Sequence, residues 1–444
     1  MTNITIRFSD THGPIKPMHA VNNGPAGSAV RGTSNIDLFR AAGIPYARNH
    51  DAAFYSGYGG EHTVDVHRIF KNFDADENCP ENYVFGPTDE YIAATEQAGT
   101  KTFYRLGAAI EHGFKQGTYP PKDFLKWAKI CEHIIRHYTE GWADGFTYDI
   151  EYWEIWNEPD CRNRDGSNPC WQGTDEEFIA FYNTAATYLK SQFPHLKIGG
   201  PAFCSAWPIP FKDAFLKNVK ENNIPLDFYS YHCYGRTPSD IYACVKAGED
   251  ALAAAGLAGT MTILNEWNYI RGWFAEDWRY SLRMEKALKG ASFIAGTMCA
   301  AQASSLGMLM YYDARPCGMN GMFDTDTLAP LKGYYPFPMF NVLYGLGTYA
   351  DGGWYNDGIH YCAATDGENS AALLTYYVDD DAAEAKDVTV TFEGAKEGTK
   401  VSVYLLDETH DNVLVSEEYF TSSRFAKKLH FDIYTTYLIR IDAE

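Results

Sequence analysis

Positive charge is scarce in this chain of 444 residues: 37 Lys and Arg stand against 58 Asp and Glu, a formal net charge of −21. A surface of that sign repels nucleic acid and anionic lipid, which are bound through Lys and Arg. Neutral or cationic small substrates remain. No run of 18 apolar residues occurs, so no membrane-spanning helix is expected. The opening MTNITIRFSD lacks a basic stretch followed by an apolar one, so a cytoplasmic location is expected; a trimmed secreted or periplasmic form has the same sequence. The ten cysteines include no CxxC pair, which points to reduced buried thiols rather than a disulfide framework. Cys161 and Cys170 are the pair placed in one loop where a bridge could form. HExxH is missing, so His133 and His137, four apart on a helix, read as structural rather than zinc ligands. His62 and His67 around VDVH lack matching carboxylates. No GxGxxG follows an early strand, which argues against a dinucleotide fold. Neither a metal nor a cofactor is expected.

What is present is aromatic and alternating. Aromatics make up 15% of the chain, with 32 Tyr and 10 Trp, enough to line a large core and still supply flat surfaces for sugar rings. Candidate strands are IKPMHAV (15–21), IPYARNH (44–50), KTFYRLG (101–107), IEYWEIWN (150–157), LKIGGP (196–201), LDFYSYH (226–232), MTILNEW (261–267) and GMLMYY (307–312). Amphipathic stretches separate them, several opening on Ser, Thr or Asp caps and ending near Gly. This alternation predicts a (β/α)8 barrel over residues 14–348. After about residue 350, AALLTYYVDD, DVTVTFEG, KVSVYLLDE and TTYLIRID read as short antiparallel strands. They predict a β-sandwich accessory domain over 349–444, joined by the N-terminal strand NITIRF within residues 1–13. The acidic run YVDDDAAEAKD (377–387) reads as a solvated turn, without the spacing of a calcium loop.

In such a barrel the functional groups sit at the C-terminal ends of the strands. Those ends carry Arg48, His50 and Asp51, then Arg105, then Asn157 and Glu158. They continue with His232 and Tyr234, then Glu266, then Asp313 and Arg315. Two carboxyls flanking one bond are what glycoside hydrolysis needs: one protonates the leaving oxygen, the other meets the developing cationic carbon. Glu158 and Glu266 each follow Asn beside a Trp, at the ends of strands four and seven, and are the pair expected to do this. Arg48 or Tyr234 would keep Glu266 ionised. Glu154 is expected lower in the barrel, bonded to an arginine. Trp156 and Trp267 are expected in packing, while Trp171, Trp207 and Trp273, in loops that follow strands, are expected on the pocket wall.

At these residues the chain resembles glycoside hydrolase family 39, which includes β-xylosidases and α-L-iduronidases. YWEIWNEPD (152–160), LNEW (264–267) and YHCY (231–234) carry the resemblance. HAVNNGP (19–25), VDVHRIF (64–70), FYRLG followed by IEH (103–112) and HIIRHYTEGWADGF (133–146) extend it. The resemblance implies a retaining mechanism with Glu158 as acid/base and Glu266 as nucleophile. It also implies that Asn157 bonds the sugar 2-hydroxyl and Tyr234 orients the nucleophile. YHCYGRTPSD (231–240) has no Lys beside the His, unlike iduronidases, which favours neutral pentosides and above all β-xylosides; Arg315 leaves carboxylate binding open. The expectation is a retaining exo-β-xylosidase acting on a glycoside or oligosaccharide, and the resemblance to family xylosidases implies a homo-oligomer. Alternatives are another family 39 specificity (arabinoside, glucoside, galactoside or uronide) and a non-catalytic carbohydrate-binding barrel.

Overall fold

The computed structural model describes residues 2–28, 33–51, 62–109, 117–355 and 357–443. The segment IEH (110–112) lies outside them. Eight parallel strands close into a barrel in chain order: Ala20–Asn22, Tyr46–Asn49, Lys101–Leu106, Tyr152–Ile155, Lys197–Phe203, Phe228–Gly235, Met261–Tyr269 and Met308–Tyr311. Each matches one of the sequence candidates. The first is much shorter than its candidate, because Pro14 and Pro17 remove the N–H groups a ladder would need ahead of Ala20. Helices alternate with the strands as expected. Two open on full capping boxes, Thr174 with Glu177 and Thr237 with Asp240, which satisfy first-turn N–H groups.

One helix, Ala275–Glu285, was not apparent in the sequence. The stretch from Met284 onward reads as continuous, but the backbone is extended at Ala287, and a second, fully buried helix runs Leu288–Gln302.

The barrel interior is filled in layers. At the bottom, Ala20, Phe103, Tyr152, Phe228, Ile263, Met308 and Met310 form an apolar plug. Above it the inward positions turn polar: Arg48, Glu154, Ser230 and Asn265 are all fully buried. Side chains that face outward from the strands join the helices in one large core.

Beyond the barrel lie a six-stranded antiparallel sheet and a three-stranded sheet. Strands Thr348–Trp354, Ile359–Thr365, Asp411–Phe420 and Arg424–Phe431 join the four read from sequence. The N-terminal strand Thr2–Arg7 pairs with Lys386–Glu393, as expected, but in parallel. Ile4, Ile6, Val390 and Phe392 from one sheet bury against Leu374, Val401 and Ile439 from the other, the packing of a sandwich.

The acidic run is not simply a solvated turn. Lys289, 3% exposed on the buried helix, contacts Asp379 at 2.7 Å and Asp381 at 2.9 Å. Asp379 also accepts from Arg236 and from Tyr269 Oη, beside the ends of barrel strands six and seven. The sandwich is thereby docked on the barrel by an ionic knot enclosed at Lys289 and Asp379 and open to solvent at Asp381 and Arg236. Removing one partner of such a pair strands the others. Lys289→Ala is expected to destabilise the protein by about 3 kcal/mol, read as an earlier transition in urea than that of the parent chain.

Candidate active site

The fourth strand delivers one carboxylate by abandoning strand geometry. Tyr152 and Glu154 face inward and Trp153 outward, as alternation requires. Trp156, which shares the parity of Glu154, should also face inward. Its φ of 76° turns it outward instead, onto Trp171 and Phe181. Gly107, just past the end of the neighbouring strand, makes room: a Cβ there would lie 2.9 Å from the Trp156 ring. Glu158 has φ 48°, and its N–H is bonded to Ala202 O at 2.8 Å. Two left-handed residues within three positions thus place Asn157 and Glu158 together at the barrel mouth.

The seventh strand solves the same problem with a bulge. Its register against the sixth strand slips between Leu264 and Glu266. Asn265 and Glu266, adjacent in sequence, therefore both reach the interior. Asn265 Nδ2 donates to Glu154 Oε1 at 2.5 Å. Glu266 accepts from Tyr234 Oη at 2.9 Å and from Arg48 Nη1 at 2.8 Å.

Arg48 ties these pieces together. Its guanidinium donates to Glu154 Oε2 at 2.7 Å, Asn22 Oδ1 at 3.0 Å, Glu266 Oε1 at 2.8 Å and Asn157 Oδ1 at 2.8 Å. Ser230 Oγ completes the shell of Glu154 at 2.6 Å. His50 Nδ1 accepts from Arg105 Nε at 3.0 Å, so its proton sits on Nε2, which lies 3.4 Å from both Glu266 Oε1 and Asp51 Oδ1. Burial, with Arg48 and Arg105 nearby, holds His50 neutral. Arg105 is in turn bonded to buried Asp65.

His232 Nδ1 joins the two carboxylates, 2.8 Å from Glu158 Oε1 and 3.4 Å from Glu266 Oε2. Oxygen atoms of Glu158 and Glu266 lie within 4.8 Å of each other. Burial raises Glu158 to about 8, and Cys161 and Asp160 oppose its charge further. Burial raises Glu266 to about 7, with His232 and Arg48 pulling it back. Both carboxyls are thus raised chiefly by burial, and Glu266 less so because His232 and Arg48 favour its charged form.

The far wall is a closed ionic cluster. Arg315 donates to Asp51 O at 2.8 Å and lies 3.2 Å from Asp313 Oδ2. Tyr312 Oη bonds Asp51, and Asn23 Nδ2 bonds Asp313 at 2.9 Å. Burial alone would raise Asp51, but Arg315 and the Tyr312 bond hold it below its ordinary range. Asp313 is raised to about 6 by burial despite Arg315.

Asn157, Glu158, His50, Asp51, His232, Tyr234 and Glu266 thus converge, and Glu154 is bonded to an arginine as expected. Three expectations need correction. Trp171 is fully buried, edge-on to Trp156 at 5.1 Å and packed on Phe178 and Phe181; it supports the wall from behind instead of forming it. Arg48 is fully buried and spent on protein acceptors, and Asp313 is fully buried under Arg315; neither presents itself to a ligand. Trp207 and Trp273, 49% and 48% exposed, stand in loops beyond strands five and seven. Trp273 lies edge-on to Tyr234 at 5.0 Å. Cys161 and Cys170 are not bridged. Asn22, Asn23, Asp65, Asn265 and Tyr312 were missed. Ending the first strand at Asn22 rather than Val21 would have exposed the first two as strand-end residues; Asp65 carries no local signal.

Residues 62–264 match the family model described as glycosyl hydrolases family 39. A β-xylosidase from Geobacillus stearothermophilus is 32% identical over 178 residues, 37% of this chain and 33% of that protein. A β-xylosidase from Caldicellulosiruptor saccharolyticus is 31% identical over 162 residues, 36% of this chain and 28% of that protein. The matched region spans about a third or less of the length of these relatives. The structure of a glucosidase from Croceicoccus marinus superposes with a TM-score of 0.81 at 19% identity, covering 100% of this chain and 99% of the other. The matching region holds the fourth-strand carboxylate together with the strands that frame it, and over these residues the chain is similar to glycosyl hydrolases family 39.

Proposed function

We propose that this protein is a retaining exo-glycosidase that removes β-linked pentosides, chiefly β-xylosides, through a covalent glycosyl-enzyme. One observation carries the retaining reading: oxygens of Glu158 and Glu266 lie within 4.8 Å. That separation suits direct attack by one carboxylate, about 5 Å from its partner, and is too short for the intervening water of an inverting enzyme.

Glu266 attacks the anomeric carbon, stripped of its proton by the donors Arg48 and Tyr234. Glu158 gives its proton to the leaving oxygen as the glycosidic bond breaks. It then takes a proton from the water that cleaves the sugar–Glu266 ester. Because Arg48 holds Asn157 Oδ1, the Asn157 amide N–H group is directed away from Arg48, as a donor for the sugar 2-hydroxyl. Arg315, paired with Asp51 and Asp313, has little positive charge to offer a uronate, which favours a neutral sugar. The relatives named β-xylosidase favour a pentose. Both carboxylates are largely enclosed, 7% and 17% exposed, which favours a single terminal sugar over an open chain.

Glu266→Gly is expected to lower turnover at least about a thousandfold, with azide restoring it and yielding a glycosyl azide of inverted configuration. Glu158→Ala should cost about 10²–10⁴-fold on poor leaving groups and far less on activated aryl ones; equal losses on both would remove Glu158 from the acid role.

The pH profile of kcat/KM should be a narrow bell. Activity falls below about 7, where Glu266 gains a proton, and above about 8, where Glu158 loses one. In Glu158→Gln, the alkaline limb should vanish when an activated aryl glycoside is the substrate.

On a panel of aryl glycosides, β-xyloside should give the highest kcat/KM. A higher value for a glucoside, galactoside, arabinoside or glucuronide would overturn the pentoside reading, and binding without cleavage would overturn the enzymatic one.

A further inference from the structure

We propose that Glu158, Cys161 and Cys204 form a binding site for a thiophilic divalent cation of the zinc class. Occupancy of this site would take the acid/base carboxylate out of the reaction. One oxygen and two sulfurs from these residues lie within 4.8 Å of one another, and all three side chains are half-buried, so an ion can reach them from solvent. The two thiols are already hydrogen-bonded to each other. A tetrahedral zinc, with Zn–S near 2.3 Å and Zn–O near 2.0 Å, asks for donor separations of about 3.5–3.8 Å. Small side-chain rotations close that gap.

The backbone beneath the three donors is held. Cys161 N donates to Glu158 O at 3.0 Å. Cys204 N donates to Asp160 Oδ1 at 2.8 Å, and Asp160 is fixed by Lys212 at 3.1 Å, both side chains only 3% exposed. Two loops, after strands four and five, are thus pinned so that their sulfurs face one carboxylate. Glu158 Oε1 is engaged by His232, while Oε2 lies on the sulfur side, with Cys170 Sγ 3.9 Å from it as a further soft donor. Two thiolates and a carboxylate suit a soft or borderline cation; magnesium and calcium prefer oxygen-rich shells.

On binding, the two thiols and the protonated Glu158 each release a proton to solvent, and three bonds to the metal replace them. The coordination rests on geometry alone. Its inhibitory consequence rests on Glu158 serving as the acid, because a metal-bound carboxylate has no proton to give.

The test uses the full chain with zinc and cadmium as probes and magnesium as control. Cadmium should produce the ultraviolet thiolate-to-metal absorbance at one equivalent, and zinc should compete it away. Zinc should inhibit cleavage of an aryl glycoside with a poor leaving group reversibly, relieved by EDTA, while magnesium has no effect. In the double variant Cys161→Ser/Cys204→Ser, affinity for zinc should fall at least about tenfold. Inhibition is to be scaled to each variant's own metal-free rate, and Cys161→Ser alone provides a second variant at the half-buried loop position. Metal binding to the parent that is lost in the variants supports the site whether or not turnover falls; binding without inhibition would count against Glu158 as the acid. Absence of cadmium absorbance in the parent chain overturns the site. So does unchanged zinc affinity in the double variant, which would move the ion to Glu158, His232 and Glu266.

Discussion

A buried guanidinium between two carboxylates organises this protein. Arg48 is fully buried, with Glu154 below it and Glu266 above. A lone cation at that depth would be prohibitively costly, and so would Glu154 without it. Each compels the other, and the remaining donors of Arg48 then fix Asn22, Asn157 and Glu266. Such pairs contribute little net stability compared with well-packed apolar side chains, but loss of one member leaves a buried charge. Here the arrangement holds reactive groups from strands one, two, four and seven in a single register.

Two local departures from regular strands make that register usable. Strand alternation alone would send Trp156 inward with Glu154 and would send one of Asn265 and Glu266 outward. The left-handed residues at 156 and 158 and the bulge at Asn265 cancel both consequences. In each case an Asn-Glu pair ends with both polar side chains on the interior and the adjacent Trp in the outer core. Backbone strain and broken pairing are concentrated where the two carboxylates come close together.

The same docking logic reaches outside the barrel. The acidic run after the third strand of the large sheet places Asp379 and Asp381 against Lys289, Tyr269 and Tyr280. Arg236 and Tyr269, just beyond and at the ends of strands six and seven, are braced by a neighbouring domain through charges that read as a solvated turn in one dimension. Opposite charges distant in sequence become partners only when the fold brings them within a few ångströms.

The residues by themselves determined the barrel, its eight strands and the sandwich, and pointed to Glu158 and Glu266, whose oxygens the fold brings within 4.8 Å. Period-two patterning, helix caps and strand-end polar residues are local signals that survive without coordinates. Tertiary structure decided which of the strand-end groups gather around Glu158 and Glu266 and which support them. Arg48, Asp313 and Trp171 sit at positions where a sequence offers a pocket residue, yet the first two are consumed by long-range ion pairs and the third by ring packing. Asp65 and Asn265 became visible only through partners 40 and 111 positions away. Direction of a side chain depends on φ at one residue or on one bulge, and the preference of a few kcal/mol that selects it comes from neighbours supplied by the closed barrel.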